Sequence, residues 1–231
     1  MDEQDKALIQ PGSKPDAAVI LLHGLGADGH DFEPLAPELN LPDAPSIRWV
    51  FPHAPVRPVT VNGGYRMRAW YDIIALDPEA PEDETGIREA ARTVGSFIRA
   101  EREQGIPDHR IVLAGFSQGG AAALFTALRW PERLAGVVAL SCYLPLPGRL
   151  TAEAHPANKA VRIFMAHGTA DPVVPLPFGE AARDQLTAMG CDVEWHTYQI
   201  QHGLCAQEVG DLRAWLLGVL PGLTSEPPSS H

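Results

Sequence analysis

Five short runs, Ala18–Leu22, Ile47–Phe51, Ile111–Ala114, Val137–Ser141 and Val161–Ala166, are apolar at nearly every position instead of at alternate ones. A strand with one face in water alternates apolar and polar residues, so near-continuous runs of this length point to strands covered on both faces, as in a mostly parallel sheet. Asp192–Tyr198 reads as a sixth strand, and Ala7–Gln10 as an additional edge strand. Between the runs lie segments of helical character. Glu84–Glu103 places Ile87, Ala91, Val94 and Ile98 at spacings of three or four, which turns one stripe toward a sheet, and Gly105 and Pro107 then stop it. Ser117–Arg129 is small and alanine-rich, and Phe178–Met189 and Leu204–Leu220 supply two further helices. Strands alternating with helices of this length predict a sheet with helices packed around it.

Two stretches break the rhythm. Pro52–Pro81 is long for a connection and carries Gly63, Gly64, Met67, Trp70, Tyr71, Ile73, Ile74 and Leu76, more apolar material than a solvated loop needs, so it is expected to form a lid or a substrate surface. Leu144–Lys159, with Pro145, Pro147 and Pro156, reads as a second excursion. The expected organisation is one domain over residues 1–221 followed by a flexible tail, 222–231.

Charge and composition narrow the function classes. With 18 basic and 29 acidic side chains the formal charge is −11, which opposes nucleic acid and anionic membrane surfaces. Cys142, Cys191 and Cys205 are scattered and form no CxxC pair, so neither a disulfide framework nor a zinc site is expected. No apolar run approaches the ~20 residues that span a membrane, and Met1–Lys6 leads into no signal-like core, which makes a cytoplasmic location the expectation.

The chemistry centres on Gly115-Phe116-Ser117-Gln118-Gly119, which follows the apolar run Ile111–Ala114 and opens the alanine-rich helix. A nucleophilic serine must project from a tight strand-to-helix turn, flanked by glycines because the backbones there approach closely. Its hydroxyl is a weak nucleophile at neutral pH and needs a base, with a carboxylate to orient that base. In chains of this type the acid precedes the histidine. Asp171, in a glycine-containing loop beyond Val161–Ala166, is the candidate acid, and His202, in the loop beyond Asp192–Tyr198, the candidate base. Turn capping ahead of Pro172 is the alternative role for Asp171. His196 falls inside a strand, and His167 precedes the acid and suits a supporting hydrogen bond. Glu180 and Asp184 fall within a helical stretch.

Near the start, His23-Gly24-Leu25-Gly26-Ala27-Asp28-Gly29 contains a GxGxxG spacing after a strand. A dinucleotide site would want an acidic residue at the end of the next strand, but Ile47–Phe51 runs into Pro52-His53. The same glycines suit a backbone that approaches a reacting carbonyl, with the N–H groups of Leu25 and Gln118 forming an oxyanion hole. His23, Asp28, His30 and Asp31 match no zinc spacing.

Together with Phe51-Pro52-His53-Ala54-Pro55, Met67-Arg68-Ala69-Trp70-Tyr71-Asp72 and Gly168-Thr169-Ala170-Asp171, these motifs resemble the phospholipase/carboxylesterase family that includes the acyl-protein thioesterases, over roughly Ala17 to Leu217. The resemblance implies an α/β-hydrolase fold, no cofactor, and hydrolysis of small acyl esters, with thioesters or lysophospholipids as alternative substrates. It assigns nucleophile, acid and base to Ser117, Asp171 and His202, oxyanion donors to Leu25 and Gln118, and a substrate-adjacent position to Trp70, which could instead pack its loop onto the domain. Tyr71 stands where many relatives have Phe, and adds a hydroxyl. The resemblance admits a homodimer, on which the sequence itself is silent. Two competing classes are a binding protein that keeps the fold without the chemistry, and a dinucleotide-dependent oxidoreductase.

Overall fold

The structure, a computed structural model, describes residues 6–39, 46–75, 77 and 80–221. The described residues form nine strands and six α-helices: β1 (Lys6–Ile9), β2 (Ala17–Leu22), α1 (Leu35–Leu39), β3 (Ile47–Pro52), β4 (Val56–Val59), β5 (Tyr65–Arg68), α2 (Glu84–Glu103), β6 (Ile111–Phe116), α3 (Gln118–Arg129), β7 (Gly136–Leu140), α4 (Pro147–Glu153), β8 (Arg162–Gly168), α5 (Leu176–Ala188), β9 (Asp192–Tyr198) and α6 (Ala206–Val219). Seven strands form one sheet in the order β1-β3-β2-β6-β7-β8-β9. Every pairing in it is parallel except that of β1, which runs antiparallel along β3 at the edge.

The continuous apolar runs are continuous because both faces of the sheet are covered. In β2, Ala18, Ile20 and Leu22 join Leu113, Val137, Ala139, Ile163 and Met165 in a core beneath α2, α3 and α5. The alternate residues Ala17, Val19 and Leu21 join Val112, Ala114, Val138, Leu140, Phe164 and Ala166 in a second core beneath α1 and α6. The stripe on α2 is Ile87, Ala90, Val94, Phe97 and Ile98; Ala91, expected on it, lies at its half-buried margin. Asp83 caps this helix by accepting the Gly86 N–H, and Gly105, with φ of 93°, ends it in the left-handed conformation that glycine tolerates.

The two irregular stretches carry structure of their own. Within Pro52–Pro81, β4 and β5 pair as a hairpin, docked where the Asp72 carboxylate accepts from the Thr60 N–H at 2.7 Å. Within Leu144–Lys159, α4 starts after Leu146, whose φ of 49° is unusual for a residue with a side chain. Leu76 and the tail 222–231 lie outside the described residues. The architecture is that of an α/β-hydrolase, a mostly parallel central sheet flanked by helices. In such sheets, the loops beyond the carboxyl ends of the strands gather along one edge.

Candidate active site

Ser117 follows β6 at φ 55° and ψ −123°, and the helix begins one residue later than the sequence suggests, at Gln118. Positive φ in a serine costs roughly 1–3 kcal/mol, so the turn persists only where its surroundings hold it. Two contacts do so: the Ser117 N–H donates to the Leu140 carbonyl at 2.8 Å, and its carbonyl accepts from Ala121 at 3.1 Å. The flanking glycines are required by space, since a Cβ on Gly115 would lie 2.3 Å from the Gly119 backbone, and one on Gly119 would lie 2.2 Å from the Leu22 carbonyl oxygen.

Asp171 and His202 meet beyond β8 and β9. The His202 Nδ1–H donates to Asp171 Oδ2 at 2.6 Å, while Asp171 Oδ1 accepts from the Val173 and Val174 N–H groups at 2.8 and 2.9 Å. A carboxylate can only accept, so this contact requires a proton on Nδ1. The two loops are laced together by Thr169 N–H to the Tyr198 carbonyl and Ala170 N–H to the Ile200 carbonyl, at 2.8 and 3.1 Å. The His202 ring then lies 4.7 Å, centroid to centroid, from Phe116, the residue before Ser117. The imidazole is thus brought to the serine turn, and among the described residues its Nε2 has no hydrogen-bond partner.

The rival side chains are engaged elsewhere. His167 is buried; its Nε2–H donates to the Val174 carbonyl at 2.8 Å and sits 3.7 Å from Asp171 Oδ2. Desolvation holds its pKa below the usual histidine range, so a neutral ring braces the loop that carries the acid. His196 bonds Glu194 at 2.9 Å and stacks on Phe164 within the sheet. Asp184 is exposed on α5 and pairs with Arg183 at 2.7 Å.

Beyond β2, the Leu25 loop is pinned from behind. The His23 ring accepts the Ala54 N–H on Nε2 at 3.0 Å and donates from Nδ1 to the Gly24 carbonyl at 2.7 Å, and burial keeps it neutral by lowering its pKa. Gly26 N–H donates to the Arg68 carbonyl at 2.9 Å. Among the described residues the Leu25 N–H makes no hydrogen bond. Gln118, first in α3, belongs to the N–H groups that a helix leaves without an internal partner. Its side chain has a role the sequence did not disclose: Oε1 accepts the Trp70 N–H at 2.9 Å and Nε2 donates to the Tyr71 carbonyl at 2.7 Å. No sequence signal marks this contact, which joins residues nearly fifty positions apart.

Of the two places expected for Trp70, the structure shows packing onto the domain, and Trp70 does not line the cavity described below. Its indole is 1% exposed and packed in the core, because Nε1–H finds the His23 carbonyl at 2.9 Å and the ring lies against His23. The residues after it do line a cavity. About 330 Å³ in volume, it is walled by Tyr71, Ile73, Ile74, Tyr143, Val173, Val174 and Phe178, among others. Val173 and Val174 are the residues whose N–H groups hold Asp171, so the cavity adjoins the acid loop. Asp72, Asp77, Glu82 and Asp83 also border it, and no Lys, Arg or His does among the described lining residues. Burial raises the pKa of Glu82, whose carboxylate accepts the Leu146 N–H at 2.9 Å.

The arrangement offers a serine hydroxyl on a strained turn, an imidazole hydrogen-bonded to a buried carboxylate, and backbone N–H groups on two sides. That set is suited to acyl transfer. A family model described as Phospholipase/Carboxylesterase matches residues 3–219. The chain is 40% identical over 225 residues to acyl-protein thioesterase 1 of Mycosarcoma maydis, covering 91% of this chain and 94% of that protein. Among solved structures it is similar to Arabidopsis thaliana SOBER1, with a TM-score of 0.84 and 30% identity over 88% of this chain and 99% of that one. Zea mays acyl-protein thioesterase 2 gives a TM-score of 0.83 and 30% identity over 93% and 98%.

Proposed function

The chain belongs to the phospholipase/carboxylesterase family, and on that premise we propose that it is a serine hydrolase of neutral acyl esters or thioesters, acting through Ser117, His202 and Asp171. The observation that carries the proposal is the 2.6 Å contact of His202 Nδ1 with a buried Asp171, beside a serine held at positive φ. His202 Nε2 takes the Ser117 hydroxyl proton as the oxygen attacks the acyl carbonyl. Negative charge that develops on the carbonyl oxygen is met by the Leu25 and Gln118 N–H groups, and loss of one such donor costs about 2.7–4 kcal/mol in kcat in a serine hydrolase. The imidazolium, stabilised by Asp171, returns the proton to the departing alcohol or thiol. Water, deprotonated by the same nitrogen, then releases the acid and restores the hydroxyl.

The acyl part is assigned to the cavity beside Val173 and Val174. Its border argues for an acyl part without negative charge, since Asp72, Asp77, Glu82 and Asp83 offer an anion no cation there. Oxygen and sulfur esters are treated alike by the machinery, and a lysophospholipid is the alternative substrate. A fluorophosphonate should add one phosphonyl group to Ser117, read by intact mass, and Ser117→Ala should add none. Stoichiometric labelling of Ser117→Ala would remove Ser117 as the nucleophile.

A further inference from the structure

We propose that the paired hydroxyls of Tyr71 and Tyr143 make the cavity selective for acyl chains that carry an in-chain oxygen, whether hydroxyl, ketone or ether. The inference rests on the cavity receiving the acyl part, as the proposed function assigns it.

The two phenolic oxygens are 2.7 Å apart, and both residues line the cavity. Burial holds both phenols well above the usual tyrosine range, so each keeps its proton at neutral and mildly alkaline pH. Two O–H groups therefore face one another. One hydrogen bond uses one proton, and the second proton has no acceptor in the pair. Tyr71 is 2% exposed whereas Tyr143 is half-buried, so the arrangement that strands no donor in the core has Tyr71 donating to Tyr143, with the Tyr143 proton turned to the cavity. Glu82, the carboxylate whose field both phenols feel, hydrogen-bonds the Leu146 N–H and neither phenol.

Of the other lining residues, Ile73, Ile74, Val173, Val174 and Phe178 contribute no polar side-chain atom, and the carboxylates of Asp72, Glu82 and Asp83 hydrogen-bond other groups, not the phenols. A plain alkyl chain leaves the hydroxyl proton unmet in a dried cavity, which costs free energy. A chain with an oxygen at the matching carbon supplies the acceptor. A hydroxyl, a keto oxygen and an ether oxygen share that capacity, whereas a methylene lacks it. Selectivity should thus depend on the position of the oxygen along the chain, and only one or two positions should benefit.

The test is a set of p-nitrophenyl esters of one chain length, plain or with a single ether oxygen moved carbon by carbon. Wild-type protein should favour the best-placed ether ester over the plain one by about 3- to 10-fold in kcat/KM, the net worth of one hydrogen bond. Tyr71→Phe and Tyr143→Phe should each reduce that ratio, and the double variant should bring it to about one, with melting temperatures measured to show that each variant folds. A second arm measures binding of the matching non-hydrolysable methyl ketones, with and without the ether, to Ser117→Ala by calorimetry. The same preference in binding, lost in the added double Tyr→Phe background, supports the cavity assignment even if the esters are not turned over, in which case only the proposed reaction fails. A wild-type ratio of one at every position together with no preference in binding overturns the inference. So does a preference that survives in the double variant.

Discussion

Asp171→Asn isolates the orienting role of the acid, because the structure dictates how the new amide must sit. Asp171 Oδ1 accepts two backbone N–H groups, from Val173 and Val174 at 2.8 and 2.9 Å. An asparagine whose NH₂ faced those donors would leave buried N–H groups opposed, at about 1–3 kcal/mol each. The amide oxygen therefore stays on Val173 and Val174, and the NH₂ takes the place of Oδ2, 2.6 Å from His202 Nδ1. A donor now faces a donor, so His202 shifts its proton to Nε2 and Nδ1 becomes the acceptor. The nitrogen meant to take the serine proton is then blocked, although every heavy atom is nearly in place. In a serine protease triad the equivalent change costs about 10⁴ in kcat, or roughly 5.5 kcal/mol. The assay is steady-state hydrolysis of p-nitrophenyl butyrate, with circular dichroism melting as the fold control. Folded Asp171→Asn protein that keeps more than a tenth of wild-type kcat would refute the tautomer argument and the role of Asp171 with it.

Trp70→Ala should lower the melting temperature by about 10 °C, from a core aromatic truncation worth about 3–5 kcal/mol. The dependence of kcat/KM on ester chain length should keep its shape, because Tyr71, Ile73 and Ile74, not the indole, line the cavity; a flattened profile in folded protein would put Trp70 against the substrate after all. Glu208 is 1% exposed on α6, and burial raises its pKa from the ordinary 4.5 to about 7. A carboxyl raised in the folded state binds a proton on folding between those values, so it favours the fold most at low pH and that contribution is lost as pH rises from about 4.5 to about 7. Glu208→Gln should remove this slope, gaining up to about 3 kcal/mol relative to wild type at pH 8 compared with pH 4.5. Urea unfolding at the two pH values measures it, and an equal difference at both would show that Glu208 does not titrate with folding.

The sheet was legible because burial on both faces leaves a plain mark: β2, β3, β6, β7 and β8 carry the apolar runs, and only their ends move by a residue or two. The hairpin was not, because β4 and β5 are largely exposed and their residues Val56-Arg57-Pro58-Val59 and Tyr65-Arg66-Met67-Arg68 show no buried alternation. What holds the hairpin is a set of polar contacts made after folding, such as Thr60 to Asp72. In the same way α4 hides behind Pro147 and Gly148, since its start depends on a left-handed Leu146 that no propensity favours. Ser117, Asp171 and His202 were candidates because each follows a strand end, and a parallel sheet gathers such ends on one edge; the structure joins Asp171 to His202 there. Applied to β7, the same reasoning reaches Tyr143, whose partner Tyr71 lies on the excursion between β3 and α2. The pairing itself was invisible, because it joins residues 72 positions apart and depends on how that excursion folds back. For Trp70 the sequence left two places open, beside the substrate or packing its loop onto the domain, because its neighbours describe a surface loop and do not disclose the buried partner that the His23 carbonyl offers its indole N–H.

Two short segments join the chemistry to the cavity. The Val173 and Val174 amides hold Asp171 Oδ1, and the same residues form part of the cavity wall. At the other side Gln118 starts the helix behind Ser117, while its side chain grips the backbone of Trp70 and Tyr71, the second of which is also cavity wall. On the proposed assignment, a chain that fills the cavity presses on the segment that holds Asp171 and on the segment tied to the Ser117 turn. Close-packed interiors transmit such displacement because they contain little free volume to absorb it. Good fit in the cavity and good alignment of the reacting groups are, in this molecule, satisfied by the same backbone positions.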